Sequence, residues 1–477
     1  MNLPQIDLRV VLPELIVTGT AVLVMLWSVF QAAGRQWPLR WVSTAGLLAA
    51  LWQVLVLGSS SGPTFSGMYA RDALTLVLQV AALLAALLAL WLSGDYVERT
   101  GLESGEYHAL LLVVVLGAML MAASTDLLML FLGLETLSIP LYVLAAFART
   151  NPRSQEAGMK YFLLGAFSTA FFLYGIALTF GAVGSTRLAS LTAGAATPSP
   201  VLLAGIGLLT IGLGFKAAVV PFHFWVPDVY EGAPLPVTAY MSVIAKVGAF
   251  AALLRVFASA LADNAAQWTT VLAVVSILTM ILGNVAALLQ TSLKRLLAYS
   301  SIAHAGFILT GVVAGGGTGA TGVIYYLLAY TFMTLGAFGV VLMLQRRGEE
   351  ADQIADLTGL GWRSPLLAGA MALFMVSLAG LPPTAGFVAK FYVFTAALDA
   401  GQTAVVIVGV LTSVVSAYYY LRVAYTMFTG PPRVEVTLAG GRWLTAALVV
   451  ASLGVLVFGI FPTPLLTFVQ QVETIFR

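Results

Sequence analysis

The chain is one apolar run after another, each about as long as a lipid bilayer is thick, with short polar breaks between them. A helix needs about 20 residues to cross ~30 Å of hydrocarbon. Inside lipid the backbone finds no water to bond, so such runs fold as helices. They lie at about 11–31, 39–58, 70–93, 109–124, 126–148, 157–183, 201–221, 237–260, 268–290, 293–314, 321–345, 365–398, 402–429 and 442–470. The expected fold is therefore all-α, a polytopic membrane protein of about 14 transmembrane helices. Composition agrees: 60% of the 477 residues are hydrophobic and 9% are charged, where soluble domains carry about 25% charged residues.

The same composition excludes several functions. A net charge of +2 gives no basis for binding nucleic acid. There is no cysteine, hence no disulfide, thiolate metal site or Fe–S cluster of the chain's own. Three histidines are little material for haem or metal. No Walker loop, dinucleotide fingerprint or zinc motif is present, so no cofactor is expected on this chain. The opening MNLPQIDLRVVLPELIV, with Asp7 and Glu14, reads as the start of the first span rather than a signal peptide.

Fourteen spans put both termini on one side. Loops after odd-numbered spans hold Arg35, Arg40, Arg99, Arg149, Arg153, Arg295, Arg346, Arg347, Arg363, Arg433 and Arg442. The other side holds Arg9, Arg71, Arg187 and Arg477. Basic residues favour the cytoplasmic side, so both termini are expected to face outward. Trp27, Trp37, Trp41, Trp91, Trp268 and Trp362 lie at span edges, as an aromatic belt would.

Two spans are interrupted. The seventh breaks at Val220-Pro221-Phe222-His223, and the twelfth at Gly380-Leu381-Pro382-Pro383-Thr384-Ala385-Gly386. They are five spans apart, and a five-helix unit repeated once must invert. Paired broken helices in inverted halves point to a transport site near the midplane. The expected division is a three-helix segment at 1–108, five-helix halves at 109–260 and 261–430, and a C-terminal helix at 431–477.

Lysine is confined in a telling way. The chain has 17 Arg but only five Lys, at 160, 216, 246, 294 and 390, all within or at the edge of apolar runs. A charge at the bilayer centre costs at least ~2.5–3.5 kcal/mol. Lysine is the basic side chain whose pKa shifts readily on burial, which suits a group that must gain and lose a proton. Glu135 is nine residues past Asp126, about 14 Å along a helix and near the midplane. Lys246 is at similar depth, Lys216 just precedes the first break, and Lys390 follows the second. Glu135, Lys216, Lys246 and Lys390 are read as a proton path, with a Glu–Lys pair as a switch; a static ion pair is the alternative. His304, near Ser300 and Ser301, is read either as a relay or as a hydrogen-bonded core histidine, and His223 likewise. Lys160 either relays or snorkels to the interface. Lys294 reads better as an interfacial anchor, and His108 as a solvated loop residue. Asp228 and Glu231 read as structural groups of a cytoplasmic loop.

Four stretches now become recognisable: LFLGLETLSIPLYVL (130–144), PFHFWVPDVYEGAP (221–234), KRLLAYSSIAHAGF (294–307) and LAGLPPTAGFVAKFYVF (378–394). Together they resemble the antiporter-like membrane subunits of respiratory complex I. Within that family VYEGAP, the lysine at 390 and VLPELIV look most like the N type. The resemblance implies a proton-pumping subunit of an NADH:quinone oxidoreductase in a bacterial inner membrane. It assigns proton-path roles to Glu135, Lys216, Lys246 and Lys390, and places His304 and Lys294 near the central polar axis. It also implies that FMN and Fe–S clusters, and the handling of NADH and quinone, belong to partner subunits. Competing readings are a subunit of a multisubunit sodium/proton antiporter, a ferredoxin- or plastoquinone-linked photosynthetic form of the complex, and a scaffold without transport.

Overall fold

The computed structural model describes residues 6–31, 37–59, 61–102, 104–194, 199–346, 349–431 and 436–476. Of the loop arginines counted above, Arg35, Arg347, Arg433 and Arg477 lie outside the described residues. The helices are α1 (Leu12–Val29), α2 (Trp37–Leu57), α3 (Ala73–Arg99), α4 (Gly105–Ala123), α5 (Leu127–Ala145), α6 (Pro152–Val183), α7 (Leu188–Gly194), α8 (Pro200–Ala217), α9 (Val226–Gly232) and α10 (Leu235–Leu253). They continue with α11 (Ala265–Leu288), α12 (Leu293–Ala314), α13 (Gly316–Met343), α14 (Leu360–Arg363), α15 (Pro365–Ala379), α16 (Ala385–Asp399), α17 (Thr403–Phe428), α18 (Arg442–Ile460) and α19 (Thr463–Gln470). Among the described residues 13 helices are long and apolar enough to cross a membrane. The expected twelfth span is divided into α15 and α16, each 15 residues long, and with it the count reaches fourteen.

Helix starts follow local polar chemistry. Asp72, Asp126, Asn151 and Ser199 each accept a hydrogen bond from a backbone N–H of the first turn of α3, α5, α6 and α8, which satisfies donors that a helix leaves open. Small residues then let the helices close up. A Cβ on Gly133 would meet the Met121 backbone N at 2.9 Å, so α4 and α5 touch backbone to backbone. Helices α10 and α13 are buried throughout, whereas α17 and α18 keep most of their surface outward. Helix neighbours recur in order: α4 packs on α5, α6 on α8 and α10 on α4, as α11 packs on α12, α13 on α15 and α16, and α17 on α11.

The fold is all-α as expected, with only two small sheets beside the helices: β1 (Ser61–Thr64) pairs with β2 (Tyr69–Arg71), and β3 (Leu344–Arg346) pairs with β4 (Glu349–Glu350) and β5 (Val436–Leu438). Some local expectations need correction. Helix α3 does not end with the expected span at 93 but runs on to Arg99, more than a turn further. There Arg40, 4% exposed, donates to the Gly94 carbonyl at 2.7 Å and faces Asp95 at 3.9 Å and Glu98 at 3.6 Å. His108 is buried in α4, edge-on to Tyr107, rather than solvated. Trp268 is buried against Phe257 and belongs to no belt. Trp41 and Trp362 do face outward.

Candidate functional site

Each break ends a helix on a lysine. Helix α8 stops at Ala217, Ala218 turns the chain in the left-handed region at φ 65°, and a cis Val220–Pro221 bond leads toward α9. The freed backbone groups find partners: Val220 N–H donates to Thr279 Oγ1 at 2.9 Å, and Trp225 Nε1–H to the Phe215 carbonyl at 3.2 Å. That is the condition for irregular backbone at membrane depth. Lys216, in the last turn of α8, is 3% exposed. Its Nζ donates to Ser138 Oγ on α5 at 2.8 Å and to Tyr161 OH on α6 at 3.3 Å. The second break also carries a cis bond, Pro382–Pro383, after Gly380 at φ 82°. Lys390 Nζ reaches back from α16 and donates to the Ala379 carbonyl at 2.9 Å and to Ser413 Oγ on α17 at 2.8 Å. Both cations thus lie at the carboxyl end of a broken helix, where the helix dipole is negative.

Between the breaks lies a buried line of rings and hydroxyls. Lys246 is 1% exposed on α10, with its Nζ 6.0 Å from the centre of the Tyr330 ring. The His304 ring, 1% exposed, is 5.2 Å from the same tyrosine. His304 Nδ1 is 2.7 Å from Tyr326 OH, and Nε2 is 3.1 Å from Tyr420 OH, which also bonds Ser300. Phe307 stands edge-on to His304 at 5.9 Å and lies under Lys390 Nζ at 4.6 Å. Toward the first break, Tyr161 stacks on Trp225 at 4.4 Å, Trp225 meets Tyr230 at 6.2 Å, and Tyr230 OH is 3.4 Å from Ser301 Oγ. Lys216, Lys246, His304 and Lys390 therefore share one buried line.

The other expected residues divide. Glu135 is half-buried and, among the described residues, forms no ion pair with a lysine; its Oε1 accepts from Thr169 Oγ1 at 2.8 Å. Ser138, one turn on along the same helix, accepts from the Lys216 ammonium instead. Lys294 is 7% exposed and pairs with Glu350, which also accepts from Tyr96 OH at 2.9 Å. It is an internal tie to α3, not an interfacial anchor. Lys160 is outside the buried line, with its side chain 41% exposed between Glu156 and Asp228, each at 2.8 Å. The hydrogen bond from Lys160 holds the Asp228 carboxyl below the usual carboxylate range. Arg295 completes this cluster at 3.3 Å from Asp228 and 2.6 Å from Glu231. His223 is half-buried in the turn after α8. Among the described residues no group of three or more His, Asp or Glu side chains could hold a metal ion.

Residues 124–416, well over half of the chain, match the family model described as NADH:quinone oxidoreductase/Mrp antiporter, TM. The chain belongs to this family. NADH-quinone oxidoreductase subunit N 2 of Roseiflexus castenholzii is 45% identical over 483 residues, covering 98% of this chain and 97% of that protein. A chain of respiratory complex I from Thermus thermophilus, solved with bound aureothin, superposes with a TM-score of 0.82 at 39% identity, over 95% of this chain and 98% of its own. A chain of the Mrp complex from Dietzia sp. DQ12-45-1b gives 0.84 at 23% identity, over 98% and 97%, and so shares the fold.

In this NADH:quinone oxidoreductase/Mrp antiporter family member, Glu135, Lys216, Lys246, His304 and Lys390 all have hydroxyl-bearing neighbours that charge counting passes over. Ser138, Tyr161, Thr169, Tyr330, Ser413 and Tyr420 carry no charge and lie in apolar runs. The signal that could have found some of them is spacing: Tyr326 and Tyr330 lie one turn apart on one helix face, and the run Tyr418-Tyr419-Tyr420 interrupts an otherwise aliphatic span.

Proposed function

We propose that this chain is a proton-translocating membrane-arm subunit of an NADH:quinone oxidoreductase, of the N type. The observation that carries the reading is the buried line from Lys216 through Lys246 and His304 to Lys390. Three amines and an imidazole in a low-dielectric interior are costly as static glue. They are useful where each takes a proton and passes it on. Arrival of charge at one lysine disfavours charge on the next, so protons are displaced along the line, with His304 between Lys246 and Lys390. Glu135 supplies the acidic end beside Lys216. Lys294 and His223 are secondary candidates for the relay.

The same reading carries the remaining expectations. The halves 109–260 and 261–430 form an inverted pair around the two broken helices, and both termini face the outer side of a bacterial cell membrane. FMN and Fe–S clusters belong to partner subunits, which reduce quinone with electrons from NADH and drive the line. The full-length likeness at 45% identity to a named subunit N favours this over a sodium/proton antiporter subunit.

Everted membrane vesicles from cells with and without this chain separate the readings. The expected result is loss of NADH-driven acidification on deletion, with no sodium-driven proton movement in the absence of NADH. Retained NADH-driven acidification together with lost sodium/proton exchange would assign the chain to the antiporter instead.

A further inference from the structure

Lys216 borders a small cavity that Glu135 reaches only through Thr169. The cavity has a volume of about 10 Å³ and is lined by Ser138, Tyr142, Ser168, Thr169 and Lys216 among others. That is the threshold size for a single water, and a water is held where two or more polar groups converge. Lys216 Nζ donates to Ser138 Oγ at 2.8 Å, and Thr169 Oγ1 donates to Glu135 Oε1 at 2.8 Å. The base and the acid are thus each tied to a hydroxyl, and both hydroxyls border the same space.

The two hydroxyls are not equivalent. Ser138 Oγ donates its own proton to the Leu134 carbonyl at 2.5 Å, so toward Lys216 it serves only as an acceptor. It holds the ammonium in place and has no free proton to forward. The Thr169 proton already points at Glu135, and its oxygen lone pairs remain free to accept from the cavity side. Thr169 also lies on α6, a different helix from Glu135 and Ser138, so it bridges where α5 alone cannot.

We infer that Thr169 is the hydroxyl bridge between Glu135 and Lys216, acting through one water in the adjoining cavity, and that Ser138 positions the Lys216 amine for it. The inference rests on the translocation reading given above. In the transfer an Nζ–H bond of the Lys216 ammonium breaks and its proton goes to the water. The water gives one of its protons to Thr169 Oγ1, and the Thr169 hydroxyl proton passes to Glu135 Oε1. Lys216 ends as a neutral amine and Glu135 as a neutral acid, with water and threonine restored. The reverse runs through the same atoms after the hydroxyl rotates.

The test uses membranes carrying the whole complex and compares Thr169→Val, Thr169→Ser and Lys216→Ala for NADH-driven proton uptake, with assembly checked by the amount of intact complex. Thr169→Val keeps the shape and removes the hydroxyl. It is expected to slow proton uptake about a hundredfold, the low end of the effect of removing a positioned proton-transfer group. Thr169→Ser is expected to restore uptake, which a packing role for the methyl group would not allow. If Thr169→Val fails to assemble, Thr169→Ala, which lacks the same hydroxyl without the β-branch, is read in its place. Normal uptake in the hydroxyl-free variant while Lys216→Ala fails would overturn the bridge and leave the translocation reading standing. Normal uptake in Lys216→Ala as well would overturn both.

Discussion

Lys390 Nζ donates to the carbonyl of Ala379 at 2.9 Å, so the cation closes the end of a helix to which it does not belong. A break in a transmembrane helix leaves carbonyls without partners, and this lysine satisfies one of them while gaining the negative end of the helix dipole. Lys390→Arg therefore separates charge from titration. Arginine keeps a donor and a positive charge but does not release its proton. The variant is expected to assemble and to lose proton pumping. Pumping at the wild-type level, measured as acidification per NADH oxidised, would show that Lys390 acts only as a structural cation.

The same break depends on Gly386. Its N–H donates to Ser377 Oγ at 3.1 Å, and a Cβ there would press on the Ser377 carbonyl and come within 2.8 Å of Met333 Sδ. Gly386→Ala should push α15 and α16 apart and cost about 1–3 kcal/mol, the usual penalty of overpacking. Thermal unfolding of the purified complex in detergent checks this, and an unchanged melting temperature would contradict it.

A second buried tie is independent of the proton line. Arg255 donates to Asp72 at 2.6 and 2.8 Å and to the Ala122 carbonyl, joining the start of α3 to the turn that extends α10. Burial works to raise the Asp72 carboxyl, but the charge and hydrogen bonds of Arg255 outweigh it, and the net effect is a lowering. A carboxyl lowered by folding contributes stability above its unfolded pKa of about 3.9, and that stability is lost as pH falls through the folded value. Asp72→Asn should destabilise the protein by about 3 kcal/mol at neutral pH, because it leaves Arg255 buried without its counter-charge. It should also remove this part of the acid sensitivity. Melting curves from pH 7 down to pH 3 test both halves of the statement.

Tyr420 is shared between His304 and Ser300. Tyr420→Phe keeps the ring and strips both of a partner, a loss of about 1–3 kcal/mol for a buried polar group left unmade. Slower proton pumping is expected with the complex still assembled. A stability loss with pumping unchanged would put His304 in a structural role.

The sequence was most legible where physics leaves few choices. Span number followed from length and hydropathy, since lipid permits little but helices, and the two proline-rich breaks stood where the chain does break. Lys216, Lys246 and Lys390 stood out because a lysine in an apolar run is expensive, and all three are buried. Partner choice was not legible. Glu135 looked like the mate of Lys216, yet Ser138, on the same helix, occupies that place, and a serine in an apolar run gives no warning. Lys294 and His108 were placed by their position near span ends, but both are buried, and Lys294 is tied to Glu350 of β4, a contact between segments that no local pattern encodes. The long reach of α3 past Gly94 likewise depends on Arg40, more than fifty residues earlier in the chain.

The most direct test is on Lys246, the amine that lies beside Tyr330 with the His304 ring on the same tyrosine. NADH oxidation and proton uptake would be measured together in vesicles carrying Lys246→Ala in an assembled complex. If protons pass along the buried line, fewer protons move per NADH oxidised than in the wild type, or both rates fall together. A wild-type proton yield at a wild-type rate would contradict the line as a path and leave these lysines as parts of the scaffold.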